Sequence, residues 1–179
     1  MKIKDKDKYK FTIKTKITPE IYRNFAAFDT FMLRKRWVIP AFGAAVFAAL
    51  AGIFFMKQMN LLAIAAMIFT VAIPVLFYTT FQNIMRRNTH NAPRGAVIDD
   101  YLVSLTEEGF EIYSEEEQAD CTWADMKAAF RLSNCIALYI TKDRSFLISQ
   151  FNEKRYEEIW AFICSHSGNK AKDRRSAVS

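Results

Sequence analysis

Two uncharged apolar runs, Trp37 to Met56 and Leu61 to Phe81, stand four residues apart and constrain this chain more than any motif in it. The first holds 20 residues (56 − 37 + 1) and the second 21 (81 − 61 + 1). At about 1.5 Å of rise per residue, each run as a helix just crosses a ~30 Å hydrocarbon core. Lys57, Gln58, Met59 and Asn60 leave room only for a tight helical hairpin, so the flanking segments are expected on one side of a membrane. Neither run contains Asp, Glu, Lys, Arg or His, the groups that mark proton relays and ion pathways in a bilayer. Their absence argues against a transporter.

The formal net charge of +6 conceals a division along the chain. Met1 to Arg36 carries 11 basic and 4 acidic residues, a surplus of +7, whereas Val97 to His166 carries 6 basic and 14 acidic, a deficit of −8. Beside the apolar runs the basic residues cluster as Arg34-Lys35-Arg36 and as Arg86-Arg87 with Arg94, against Lys57 alone in the turn. The bias of Lys and Arg toward the cytoplasmic face then puts both termini in the cytoplasm. A basic surplus placed there serves the membrane, so no nucleic-acid partner is expected. The leading 36 residues do not read as a secretory signal, because the apolar run starts late, is long and is followed by a second one. Cys121, Cys135 and Cys164 lack metal-type spacing and read as reduced, buried thiols.

Tyr9, Phe11, Ile13, Thr15 and Ile17 alternate with lysines and Thr12, predicting a half-buried strand that must find a partner. Thr18 then offers an N-cap, Pro19 a first helical residue, and Ile21, Phe25, Phe28 and Met32 a helical stripe. In the first apolar run Ala44, Ala48 and Gly52 recur every fourth residue, a face expected to pack on the second helix or on a second copy of the chain. Pro40 and Pro74 are expected to kink their helices.

From Val97 onward short strand-like segments are separated by polar turns: 97–106, 110–113, 119–123, 126–132, 136–140 and 146–149. A helix from a cap at Asn152 to His166 follows, with Tyr156, Ile159, Trp160 and Ile163 on one face. Residues 167–179, polar and aperiodic, are expected to be a disordered basic tail. The expected organisation is therefore a strand and amphipathic helix (1–36), a transmembrane hairpin (37–56 and 61–81), a linker (82–96), a soluble β domain with a terminal helix (97–166) and the tail. The fold class is α+β, with a small antiparallel sheet or barrel.

Leu105-Thr106-Glu107-Glu108-Gly109-Phe110, Trp123-Ala124-Asp125-Met126-Lys127 and Ile136-Ala137-Leu138-Tyr139-Ile140, behind a basic-flanked hairpin, resemble the YcxB-like family of bacterial membrane proteins. The resemblance runs from about Tyr9 to His166 and implies a pleckstrin-homology-like domain of about seven strands with a C-terminal helix. Six strands after the hairpin plus the Tyr9 to Ile17 strand would supply the seven. Where relatives continue with Pro-Lys after the Phe146-Leu147-Ile148 strand, this chain has Ser149-Gln150-Phe151. The family carries over no biochemical activity.

Trp123 and Asp125, with Gly109, form the most distinctive local motif. Its expected role is structural, the indole filling the sheet interior and the carboxylate accepting a turn hydrogen bond. Glu115-Glu116-Glu117 and Asp99-Asp100 lack the spaced oxygens and glycine of a calcium loop, and neither His90 nor His166 has an evident partner. No glycine-rich phosphate loop, H-E-x-x-H, G-x-S-x-G or paired C-x-x-C is present, so no catalytic residue, cofactor or metal is expected. The expectation is a non-enzymatic interaction or scaffold module held by its hairpin at the bacterial inner membrane, its partners the bilayer and a protein. A lipid-binding pleckstrin-homology-like module and a small oligomeric channel or transporter subunit are the alternatives.

Overall fold

Lysines at alternate positions give the first strand one wet face and one apolar face. In a computed structural model that describes residues 9–89, 99–114, 118–149 and 153–175, β1 (Phe11–Ile17) buries Ile13, Thr15 and Ile17 and exposes Lys14 and Lys16. Its partner lies on the far side of the apolar runs. β1 pairs antiparallel with β2 (Asp99–Leu105) along its whole length, from Phe11 opposite Leu105 to Ile17 opposite Asp99. β3 (Gly109–Tyr113) and β4 (Gln118–Thr122) extend this sheet in the order β1-β2-β3-β4.

A second sheet has the order β7-β6-β5-β8, from β5 (Ala128–Arg131), β6 (Cys135–Tyr139), β7 (Ser145–Ser149) and β8 (Ala171–Asp173). The class is α+β, but the expected barrel becomes two sheets joined at a corner. The Lys16 backbone N–H donates to Ser149 Oγ at 3.2 Å, and the Tyr101 hydroxyl donates to Leu147 O at 2.6 Å while accepting from Leu147 N at 2.8 Å. Val103, Leu105, Phe110, Met126, Leu132, Ile136, Leu138 and Ile148 are fully enclosed. Helix α4 (Glu153–Ser167) adds Tyr156, Ile159 and Ile163 to this core, with Trp160 only half-buried, and the Tyr156 hydroxyl donates to Leu132 O at 3.0 Å. Each enclosed Leu, Ile or Phe stabilises the fold by about 1.5–3 kcal/mol relative to exposure.

α1 (Pro19–Ala27) starts at the expected cap, with Thr18 Oγ1 accepting from Ile21 N at 3.4 Å, and continues as a π-helical stretch, Phe28–Leu33. The chain divides into two compact units, residues 1–25 with 92–179 and residues 26–91. In the second unit α2 (Val38–Met56) and α3 (Asn60–Asn88) run antiparallel, since Gly43 faces Ile73 while Phe47 stacks on Phe69. Gln58, at φ 58°, makes the reversal and donates its N–H to Phe55 O.

Four expectations need correction. Pro40 lies in the first turn of α2, where backbone N–H groups have no intrahelical acceptor, so it interrupts nothing. α3 runs on to Asn88, so residues 82–88 are helix, not linker, and Arg86 and Arg87 occupy its last turn, where cations favour the helix dipole. Of the two partners expected for the Ala44, Ala48 and Gly52 row, the second helix is not the one it is buried on: Ala48 and Gly52 are exposed, Ala44 is half-buried, and Ala51 is the residue α2 buries. Finally, residues 167–175 are not disordered, forming the last residue of α4, a 3₁₀ turn (Gly168–Lys170) and β8. His90, Arg94, residues 115–117, the Asn152 cap and residues 176–179 lie outside the described residues.

Candidate functional site

Thr106, Gly109 and Trp123 tie the β2–β3 turn to the end of β4. Thr106 Oγ1 accepts from Gly109 N at 3.0 Å, and Thr106 N donates to Gly109 O at 2.8 Å. A Cβ on Gly109 would overlap the Cys121 carbonyl and approach Thr122 Cα to 2.8 Å, so only glycine lets β3 and β4 come this close. The indole of Trp123 is buried, packs on Phe110 at 5.6 Å between centroids, and donates from Nε1 to Thr106 O at 3.1 Å. Asp125 Oδ2 accepts from Thr122 Oγ1 at 2.7 Å and Thr122 N at 3.1 Å. These bonds, that from the Thr122 hydroxyl foremost, hold its carboxyl below the usual range. Gly109, Trp123 and Asp125 are thus brought together, and each serves the turn.

His166, expected to be unpartnered, closes this cluster from α4. Its ring stacks on Trp123 with centroids 5.5 Å apart, its Nδ1 lies 2.9 Å from Phe162 O, and its Nε2 lies 2.9 Å from Glu107 Oε2. An acceptor at each nitrogen suits the doubly protonated ring, so the Phe162 carbonyl first, then Glu107, raises the imidazole pKa. Lys170 Nζ donates to Trp123 O at 3.2 Å and Ala124 O at 3.0 Å. Periodicity could not reveal Glu107 and Trp123 as partners of His166, since they lie far from α4 in sequence.

Arg131 at the end of β5 was also not legible as a special residue. Its side chain is 3% exposed and pairs bidentately with Glu157 on α4, Nη1 to Oε2 at 2.8 Å and Nη2 to Oε1. That pairing raises the guanidinium pKa and lowers that of the Glu157 carboxyl. The guanidinium also lies over the Tyr156 ring at 5.0 Å and reaches Asp173 on β8 at 3.9 Å. Glu111, buried in β3, is a third feature missed, accepting from the Tyr9 hydroxyl at 2.7 Å and from the Tyr113 hydroxyl.

Burial pushes the Cys135 thiol up to about 12 and raises Cys121 and Cys164 as well, which disfavours the nucleophilic thiolate. Among the described residues no three His, Cys, Asp or Glu side chains converge to hold a metal. Of the basic flank, Arg34 Nε pairs with Asp29 Oδ2 at 2.8 Å, Lys35 sits at φ 49° where α2 is approached, and Arg36, Arg86 and Arg87 are exposed. Ala48, Ala51 and Gly52 of α2, with Ala63, Met67 and Thr70 of α3, line an open apolar groove of about 530 Å³. The Thr70 hydroxyl is turned onto its own helix, donating to Ala66 O at 3.0 Å. Compared with family models, with curated proteins and with solved structures, the chain matches none.

Proposed function

We propose that the chain is a membrane-anchored interaction or scaffold module, in which α2 and α3 cross the bilayer and the two-sheet unit, with both termini, faces the cytoplasm. The observation that carries this reading is the β1–β2 ladder. β1 precedes the two long apolar helices and β2 follows them, yet they pair residue for residue, so both lie in one compartment. Either both helices cross a membrane or neither does. Both are long and apolar enough to cross. Their outward side chains favour crossing, since Ile39 at 79%, Phe42 at 71% and Leu61 at 81% exposure would be unsupported in water. Arg34, Lys35, Arg36, Arg86 and Arg87 at the helix ends favour the cytoplasmic assignment.

Among the described residues the strands number eight, not the seven that the YcxB-like resemblance implies, because β8 follows α4 and pairs with β5. The lipid-binding alternative has no large basic surplus behind it, since the unit of residues 1–25 with 92–179 carries 19 basic and 18 acidic residues. Crosslinking in intact cells followed by identification of captured chains tests the proposal. Recovery of one specific protein supports a scaffold. Recovery of lipid alone, or extraction of the chain by alkaline carbonate without detergent, overturns it.

A further inference from the structure

The cations at the ends of the α2–α3 hairpin are unevenly placed and mostly unengaged. Arg34 is held by Asp29, whereas Lys35, Arg36, Arg86 and Arg87 are exposed and have no side-chain partner among the described residues. Lys57 alone stands at the turn. The approach to α2 that carries Lys35 and Arg36 is fixed by backbone bonds, Arg34 N to Asp29 O and Arg36 N to Thr30 O, each at 2.9 Å, and Val38 N to Lys35 O at 3.0 Å. Lys35 holds φ 49°, a left-handed conformation that costs a lysine free energy and that these bonds impose.

Gly43 faces Ile73 and Phe47 stacks on Phe69, so α2 and α3 run in step, with Val38 about level with Tyr78 and Met56 with Asn60. The 18 steps from Val38 to Met56 (56 − 38) rise about 27 Å, close to the ~30 Å of a hydrocarbon core. If both helices cross, as proposed, the exposed Trp37 and Tyr78 mark one boundary as an aromatic belt. Beyond the belt α3 continues ten residues to Asn88 (88 − 78), through a headgroup layer roughly 5–8 Å deep. Helical side chains lean toward the N-terminus, which here directs Arg86 and Arg87 back toward the lipid. The Phe28–Leu33 stretch lies beside this part of α3, its Phe31 ring 6.1 Å from Phe77 and 5.0 Å from Phe81, with Met32 and Leu33 exposed.

We infer that this end of the hairpin is a binding site for anionic phospholipid, in which Lys35 and Arg36 before α2 and Arg86 and Arg87 on the last turn of α3 hold headgroup phosphates. Met32, Leu33 and Trp37 seat the same segment in the upper acyl layer. Charge selects the lipid: four uncompensated cations attract a headgroup with a net negative charge, whereas a zwitterionic one brings an ammonium that they repel. The guanidinium forks of Arg36, Arg86 and Arg87 match phosphate oxygens two at a time. The inference rests on the reading that α2 and α3 cross a bilayer, and it names the lipid chemistry at their basic end.

The probes are phosphatidylglycerol and phosphatidylcholine with identical acyl chains, titrated into the full chain in detergent, with retained lipid counted by native mass spectrometry. Wild type should hold phosphatidylglycerol at least about ten-fold more tightly. Arg36→Gln and Arg86→Gln should each weaken that lipid about five-fold and leave phosphatidylcholine unchanged. Lys57→Gln, at the other end, should alter neither. Equal affinity for the two lipids, an equal loss at Lys57, or displacement of phosphatidylglycerol by an equal concentration of glycerol phosphate overturns the inference, the last by showing a site for soluble anions. Should a variant fail to fold, wild type in rising salt decides. Its preference for phosphatidylglycerol should fall several-fold between about 0.05 and about 0.5 M salt, and a preference that stays constant overturns the inference. A chain that resists alkaline carbonate yet shows no preference overturns this inference alone, whereas a chain that carbonate extracts overturns the membrane reading and the inference with it.

Discussion

Ile17 and Asp99 face each other at the end of one antiparallel ladder, although both long apolar helices lie between them in sequence. If α2 and α3 both cross a bilayer, as proposed, deleting α2 alone would leave one crossing and place β1 and β2 on opposite faces. The ladder is then expected to be lost, with cysteines introduced at Lys14 and Asp100 becoming labelled from opposite sides of sealed vesicles. Labelling of both from one side would show that α3 does not cross and would count against the proposal.

The Trp123 indole supplies both packing and a donor. Trp123→Ala should destabilise the chain by about 3–5 kcal/mol through the cavity it leaves. Trp123→Phe should lose about 1 kcal/mol, the worth of the bond to Thr106 O. Thermal unfolding followed by near-ultraviolet circular dichroism orders the two.

Gly109→Ala has no backbone strain to relieve and a clash to create. The new methyl would meet the Cys121–Thr122 backbone, which cannot rotate away as a side chain could. A loss of about 1–3 kcal/mol or more is expected, visible as a lower denaturation midpoint.

His166 makes stability depend on pH in one direction. Its folded pKa is raised, so the stabilisation is fully present below the unfolded value near 6.5. It is lost as pH rises through the higher folded value. His166→Gln should abolish this dependence, and the two melting curves should converge at alkaline pH. The ion pair is exposed at Glu107, so its contribution should stay near 0.5 kcal/mol. A wild-type stability that rose with pH over this range would refute the assignment.

In the helical unit, α2 buries Ala51 and α3 buries Ala63 and Ala66. Ala63→Leu, at 2% exposure, should loosen the pair by about 1–3 kcal/mol. Gly52→Leu, whose new atoms enter the open groove, should leave helix pairing intact. Disulfide trapping between cysteines placed at Gly43 and Ile73 reads both outcomes.

How far the residues foretold this arrangement depended on how local each signal was. The alternation in Phe11 to Ile17, the Thr18-Pro19 start of α1 and the two apolar helices were legible because each depends on spacing within one segment. The turn bond of Asp125 to Thr122 was legible for the same reason, whereas the bond of Trp123 to Thr106 O and the close approach of Gly109 to Cys121 link separate elements. The pairing of His166 with Glu107 and the enclosure of Arg131 were not legible, because Glu107, Glu157 and Asp173 come from elements distant in sequence. Ala171 to Asp173 carry no strand pattern at all, and pairing with β5 imposes their extended form. The stripe of α2 that meets α3 was not legible, because Ala44, Ala48 and Gly52 lie one stripe away from Gly43, Phe47 and Ala51, and sequence alone does not say which stripe meets α3.

The place of α2 and α3 in sequence, between β1 and its partner β2, also fixes an order of events during synthesis. β1 leaves the ribosome before the apolar helices and its partner strand after them, so β1 must wait with bare edges until the hairpin is complete. Closure of the first sheet thereby reports that both helices have reached a state that lets their ends meet. A chain whose hairpin goes astray carries an unpaired, lysine-rich strand that marks it for proteolysis.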